Sequence, residues 1–272
     1  MTMTLKEAFA CFDCHETLWM LEKATGLTTT ELRLANENTP LSPEARSLFL
    51  HMIEQRRHHI PLQYILGNWE FMGLTMECRP GVLIPRGDTE ILATEAIRFL
   101  QNCSGNPVAL DMCTGSGCVG ISLAYFCPTS HVTATDIDQK ALALATENAL
   151  NNNVINRMNF VQSNLFEKVH DQFDCITANP PYIPTLEIAD LSDEVQQEPP
   201  LALDGGVDGL DFYRIIIPAS IKYLYPGGGI FLEIGDTQGE AVTEMMKQHN
   251  FCDVKMIKDL ENRDRVVRGI MK

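Results

Sequence analysis

Two short stretches of this 272-residue chain carry residue types able to do chemistry. The first is Asp111-Met-Cys113-Thr114-Gly115-Ser116-Gly117-Cys-Val-Gly120, set between an apolar run and an apolar helical pattern. Glycines at 115 and 117 would let the backbone turn tightly and approach a ligand whose polar groups meet the helix N-terminus. Asp136 closes the next apolar run, 21 residues beyond Gly115. A carboxylate there is placed to accept hydrogen bonds from both ribose hydroxyls of an adenosine. Residues 115–120 spell G-x-G-x-x-G, which alone fits NAD or FAD as well as S-adenosylmethionine. The plain alternative is a glycine turn that only packs a helix onto a sheet.

The second stretch decides between those cofactors. Phe173–Ala178 reads as a buried strand, and Asn179-Pro180-Pro181-Tyr182 follows at its C-terminal end, where open α/β sheets bind ligands. This tetrapeptide suits methylation of a planar nitrogen. Such a nitrogen is a poor nucleophile because its lone pair is delocalised into the neighbouring π-system. The Asn179 side-chain oxygen and the Pro180 carbonyl could each accept one N–H of an NH₂ group. That would orient the nitrogen and favour the positive charge growing on it during transfer. The two prolines stiffen the loop and remove donors that would compete for those carbonyls. Tyr182 offers a flat face to a planar amide or base. A proline-rich turn after a strand is the plain alternative.

The elements that must position these residues follow from periodicity. From about residue 105, short apolar runs alternate with helical stretches, the pattern of a parallel α/β sheet. Strands are expected at Val108–Met112, His131–Thr135, Met158–Gln162, Phe173–Thr177 and Gly229–Ile234. Asp253–Ile257 and Arg265–Ile270 form an expected antiparallel pair. Residues 1–75 read as a small helical domain. Leu5, Ala8, Phe9, Phe12, Trp19 and Met20 recur at helical spacing up to Gly26, Thr28 and Glu31 match a capping box, and Ser42-Pro43 opens a third helix. That helix is expected to bury Ala45, Leu48, Phe49 and Met52. It ends in Arg56-Arg57-His58-His59, cations that suit the helix dipole. Residues 62–90 read as extended, so 76–104 are expected to hold the connector and the first helix of the catalytic domain, and 105–272 the α/β domain.

Composition narrows the class. Apolar residues make up 45% and charged residues 21%, which excludes a disordered or membrane-embedded chain. No run reaches the roughly 18 apolar residues of a spanning helix. The first thirty residues carry only Lys6 and Lys23 as cations, against Glu7, Asp13, Glu16 and Glu22, unlike a signal or transit peptide. A cytoplasmic protein without membrane association is expected. The net charge of −15 disfavours a phosphate backbone as partner. Nine cysteines show no disulfide framework. Cys11-x-x-Cys14-His15 lacks the further ligands of a metal site, and no metal is expected.

On these residues the chain resembles the peptide chain release factor glutamine N5-methyltransferases, the PrmC/HemK family. The resemblance is carried by Pro61–Gly67, Val82–Glu90, the glycine motif, Asn179–Ile183, Glu198–Gly206, Asp208–Arg214 and Glu233–Gln238. It implies a Rossmann-like, seven-stranded methyltransferase domain, and an N-terminal helical domain that helps dock a class 1 release factor. It implies S-adenosylmethionine bound by Cys113, Thr114, Gly115, Ser116, Gly117, Asp136, Leu165 and Asn179. Asn179, Pro180, Pro181 and Tyr182 would hold the glutamine of the release factor's Gly-Gly-Gln loop, with Asn179, Pro180 and Tyr182 serving catalysis. Three positions depart from the family pattern: Cys113 stands for a glycine, Gly87 for a proline and Asn164 for an acid. Cys113 requires a backbone conformation open to a side chain, and Asn164 can still accept through its amide oxygen.

Three rival readings use parts of the same pattern. An adenine-N6 methyltransferase acting on nucleic acid uses the same tetrapeptide on a flipped base. Against it, Val169–Tyr213 holds ten acids and no Lys or Arg. A nicotinamide-dependent oxidoreductase leaves Asn179–Tyr182 without a role. A non-catalytic binding protein would be expected to lose the tetrapeptide or the ribose acid.

Overall fold

The computed structural model describes residues 3–12 and 14–272. Packing divides the chain into two units. One runs up to Asn68 and includes Ser192–Gln197. The other comprises Trp69–Leu191 and Glu198–Lys272.

The first unit is built from the helices α1 (Leu5–Phe9), α2 (Cys14–Thr25), α3 (Thr29–Leu34), α4 (Pro43–Arg57) and α5 (Leu62–Leu66), with side-chain N-caps on α1, α3 and α4. The run from Leu5 to Gly26 is therefore two helices where periodicity predicts one. The first ends in a turn closed by the Cys11 N–H on the Ala8 carbonyl (3.0 Å). The Thr28/Glu31 capping box and the Ser42 cap ahead of Pro43 form as the sequence predicts. The buried stripe of α4 is Ala45, Phe49, Met52, Ile53 and Arg56. Leu48, expected inside, lies at the edge of that stripe and is 39% exposed. Residues 62–66, expected extended, are helical because Leu62 and Ile65 bury one face and Gly67 ends the turn at φ +81°.

Arg56 occupies the last position of the α4 stripe and is only 6% exposed. Its guanidinium turns inward, beyond a dipole role. It donates to both Glu16 carboxylate oxygens (2.7 and 2.9 Å), to Glu194 (2.8 Å) and to the Ile60 carbonyl (2.8 Å). It thereby ties Ser192–Gln197 to the helices of this unit. Asp193 faces His59 (3.5 Å), so two acids of the 169–213 stretch have local partners.

From Trp69 the second unit runs through a hairpin, β1 (Asn68–Phe71, its first residue counted with the first unit) and β2 (Leu74–Glu77), followed by α6 (Thr89–Leu100). Then come β3 (Val108–Met112), α7 (Cys118–Phe126), β4 (His131–Asp136), α8 (Gln139–Asn151), β5 (Met158–Gln162) and β6 (Phe173–Ala178). The chain finishes with α9 (Asp211–Ser220), β7 (Leu224–Glu233), α10 (Gly239–Gln248), β8 (Cys252–Lys258) and β9 (Asp264–Ile270). The last seven strands form one sheet in the order β5-β4-β3-β6-β7-β9-β8. All pairings are parallel except those of β9, which runs antiparallel to β7 and β8. This is the expected seven-stranded α/β sheet. β7 starts earlier than expected, because an irregularity between Phe173 and Cys175 absorbs Pro226-Gly-Gly and lets Leu224 pair with Phe173.

Strand residues alternate between two cores. Ala109, Cys175 and Phe231 pack with Leu92, Ala96, Val119 and Leu123 of α6 and α7. Leu110, Ile176 and Leu232 pack with Tyr213, Ile216, Val242 and Met246 of α9 and α10. The chain moves outward from β3 through β4 to β5, then returns to β6 on the other side. The C-terminal ends of β3 and β6 therefore flank a topological switch point, where such sheets open a crevice.

Truncating Arg56 removes the shared partner of Glu16 and Glu194. Arg56→Ala is expected to lower unfolding stability by about 3 kcal/mol, because one partner of a largely buried ion pair is removed. Denaturant unfolding and limited proteolysis within residues 1–68 would show it. An unchanged midpoint would mean that apolar packing alone holds this unit.

Candidate active site

The glycine loop between β3 and α7 is built around a buried carboxylate. Asp111 Oδ2 accepts from the Thr114 hydroxyl (2.6 Å) and the Gly120 N–H (2.9 Å), while Oδ1 accepts from the Thr177 hydroxyl (2.9 Å). Those donors favour the ionised form, yet complete burial outweighs them and pushes Asp111 up to about 6. Cys113 takes φ +57°, the left-handed conformation in which a glycine would be unstrained. The expected conformation open to a side chain is thus reached only at a backbone cost. The Cys113 thiol, raised by burial and then by Asp136 and Asp111, stays protonated.

Gly117, at φ +85°, starts α7, and a Cβ there would come within 2.9 Å of both Ala145 and Ile121. The requirement for glycine at 117 is therefore helix packing. At Gly115, φ is +55° and a Cβ would meet nothing within 4 Å, so this glycine serves the turn. Asn148 holds the loop from behind, its amide donating to the Ser116 carbonyl (2.9 Å) and accepting from the Glu77 N–H (2.7 Å).

Asp136 ends β4 and shares its two oxygens between the Gly115 N–H (2.9 Å) and the Asp138 N–H (2.9 Å). Burial raises its pKa and the backbone donors oppose that shift. Leu165 sits at φ +47°, with its carbonyl taken by the Ser163 hydroxyl (2.8 Å). Asn164 donates its amide to Glu167 (2.9 Å), which leaves its oxygen as the acceptor.

These residues border one cleft of about 190 Å³ at the switch point. Cys113, Thr114, Gly115, Ser116, Asp136, Leu165, Asn179 and Pro181 line it, together with Val82, Ile84, Thr89 and Leu201. Gly117, Pro180 and Tyr182 adjoin these residues in the chain but are not part of the lining. The cleft joins apolar walls to a carboxylate at a strand end and a glycine turn facing open space. That donor set fits an adenosine bearing a cationic sulfonium. Among the described residues no cluster of His, Cys, Asp or Glu is gathered to hold a metal ion.

Asn179 follows β6, and its Nδ2 donates to the Thr89 hydroxyl (3.3 Å) at the start of α6. The tetrapeptide is clamped by residues with no assigned role in the sequence reading. Gln238 donates to the Tyr182 carbonyl (2.8 Å) and the Gly209 carbonyl (3.2 Å) and accepts from the Gly235 N–H (2.9 Å). A Cβ at Gly209 would fall 2.2 Å from the Tyr182 carbonyl, and one at Gly205 2.7 Å from the Tyr182 Cα. Glu198 is buried, accepting from the Ile84 N–H (2.9 Å) and from Arg86, and so joins the 82–90 and 198–206 segments. Burial raises Glu198 and Arg86 opposes the rise. The readable signal for these residues is polar groups in runs that otherwise read as strand ends or Gly-Pro turns.

Because Asp111 has a raised folded pKa, the native state holds a proton that the unfolded chain releases between pH 3.8 and about 6. That contribution to stability is full below the lower value and is lost as pH rises through the upper one. Asp111→Asn keeps an acceptor for Thr114 and Gly120 and removes the titration. The variant is expected to lose less stability than the wild type between pH 4.5 and 7, as read by denaturant unfolding across that range. Parallel curves would show that Asp111 does not titrate there.

Residues 93–259 match the family model described as Methyltransferase small domain, and residues 4–67 match the PrmC N-terminal domain. The chain is 43% identical over 256 residues to a release factor glutamine methyltransferase of Geobacter sulfurreducens, covering 93% of this chain and 88% of the relative. A protein of the same name from Moorella thermoacetica is 40% identical over 248 residues, covering 90% and 87%. Among solved structures, a methyltransferase from Pyrococcus furiosus shares the fold at 19% identity and a TM-score of 0.53, over 83% of this chain and 96% of that one. With relatives this similar over nearly their whole length, the chain belongs to the release factor glutamine methyltransferase family.

Proposed function

We propose that this enzyme methylates the side-chain amide nitrogen of the glutamine in the Gly-Gly-Gln loop of class 1 release factors, using S-adenosylmethionine. The observation that carries the proposal is the setting of Asn179. Its amide lies on the cleft wall at the end of β6, with Nδ2 committed to Thr89. Oδ1 is thus the atom turned to accept. Bound S-adenosylmethionine supplies an electrophilic methyl group on a sulfonium sulfur. Asp136 would hold the ribose, Thr114, Gly115 and Ser116 would border the cofactor's polar end, and Leu165 and Val82 would cover an apolar face.

Asn179 Oδ1 and the Pro180 carbonyl would each accept one N–H of the glutamine amide, aiming its nitrogen at the methyl group. Both acceptors become more favourable as positive charge grows on nitrogen, so they stabilise the transition state more than the ground state. The surplus proton leaves after transfer, and water is an adequate acceptor. Tyr182, its backbone clamped by Gln238, would flank the planar amide as a neutral phenol, because burial raises its pKa well above the usual range.

The deciding experiment is mass spectrometry of a release factor incubated with this protein and labelled cofactor. A gain of one CH₂ unit is expected on the Gly-Gly-Gln peptide, and label elsewhere, or on an added oligonucleotide, would overturn the substrate assignment. Asn179→Ala is expected to lower kcat by about 10²–10³. Asn179→Asp keeps acceptor oxygens at a desolvation cost and should fall between that variant and Tyr182→Phe. Single-turnover rates at saturating substrate check the order, and near-normal turnover in Asn179→Ala would reduce the tetrapeptide to a structural turn.

Asp136→Ala should weaken cofactor affinity by about tenfold or more, the loss of at least one hydrogen bond from a charged acceptor. Because Asp136 also holds the Gly115 N–H, part of that loss reports a loosened loop. Calorimetric titration with unchanged affinity would remove Asp136 from the cofactor site.

A further inference from the structure

Glu233 is the last residue of β7 and is 1% exposed, with its Oε2 lacking any hydrogen-bond partner. β7 runs parallel to β6 with Leu232 beside Ala178, so the next residues along the register are Glu233 and Asn179. The Thr89 hydroxyl and the Asn179 amide both act on the Glu233 carboxylate to favour its charged form, and Asn179 Nδ2 donates to Thr89 (3.3 Å). An unpaired buried carboxylate oxygen is costly to keep at a strand end.

We infer that Glu233 is a positioning residue for methyl transfer: its carboxylate draws the Nδ2 end of Asn179 toward itself and Thr89, leaving Oδ1 presented to the substrate amide. This rests on the reading of Asn179 given above. An ionised carboxylate has acceptors only, so an asparagine beside it must offer its NH₂. A protonated Glu233 becomes a donor and competes for Asn179 Oδ1, which rotates the amide and presents the wrong polarity to the substrate.

Burial pushes Glu233 up to about 7, with Thr89, Arg265 and Asn179 favouring the charged form and Asp88 opposing it. Tyr182, Tyr213 and Cys118 also face it, and all three are raised by burial and remain neutral. Activity should therefore fall as pH drops through about 7. Asp111, raised to about 6, is another buried acid near this window. Only removal of Glu233 should abolish a limb that belongs to Glu233.

The test combines Glu233→Gln, Asn179→Ala and their double variant in the full-length enzyme, with thermal unfolding confirming that each folds. Glu233→Gln should lower kcat at pH 8 by about 10- to 100-fold, the loss of a hydrogen bond to a charged partner. Its affinity for S-adenosylmethionine should stay unchanged and the acid limb should disappear. In the Asn179→Ala background, Glu233→Gln should change kcat little, because the effect passes through Asn179. Independently of turnover, the Asn179 side-chain amide signals in a ¹⁵N spectrum of the wild type should titrate near pH 7 and be static in Glu233→Gln. Wild-type rate and pH profile in Glu233→Gln, an undiminished further loss on Asn179→Ala, or an amide signal that ignores pH would each overturn the inference. A wild type that shows the amide titration but leaves Gly-Gly-Gln peptides unmodified would instead refute the substrate reading.

Discussion

The Asp111 carboxylate joins three segments at the centre of the sheet: the glycine loop through Thr114, helix α7 through the Gly120 N–H and strand β6 through Thr177. Each contact lies at the switch point, where β3 and β6 end side by side. Burying that charge costs free energy, as its raised pKa records. The cost is met by well-packed apolar layers on both faces of the sheet. What it secures is a loop geometry that a purely apolar strand end would leave to chance.

The same device recurs around the cleft. Asp136 fixes Gly115, Glu198 fixes Ile84 and Arg86, and Glu233 lies against Asn179 and Thr89. All four carboxyls have raised pKa values, with desolvation as the largest cause, and Asp111, Glu198 and Glu233 are buried while Asp136 is partly so. A loop held by backbone N–H groups on a buried acceptor loses little freedom when a ligand arrives, so less binding energy is consumed in ordering it. The uncharged clamp, Gln238, does for the tetrapeptide what Asp111 does for the glycine loop.

The concentration of buried acids also suits the chemistry. A sulfonium cofactor is cationic, and the substrate nitrogen turns cationic during transfer. In low-dielectric surroundings a carboxylate beside either centre would act more strongly than it would in water.

The sequence by itself determined the local features. The strand runs and glycine loop were legible from periodicity and turn chemistry, and Asn179–Tyr182 from what two acceptors and two prolines do at a strand end. Tertiary structure alone decided the rest. The inward turn of Arg56 depends on Glu16 and Glu194, 40 and 138 residues away. The clamp on Tyr182 comes from a glutamine 56 residues on, and the Glu198–Arg86 pair spans 112 residues. Glu233 reads in sequence as the polar end of an apolar strand, and only the parallel register of β6 and β7 brings it beside Asn179. Local propensity and spacing act within a few residues and leave a mark on the sequence around them. A buried polar contact depends on which strands become neighbours, and that is set by packing the whole sheet.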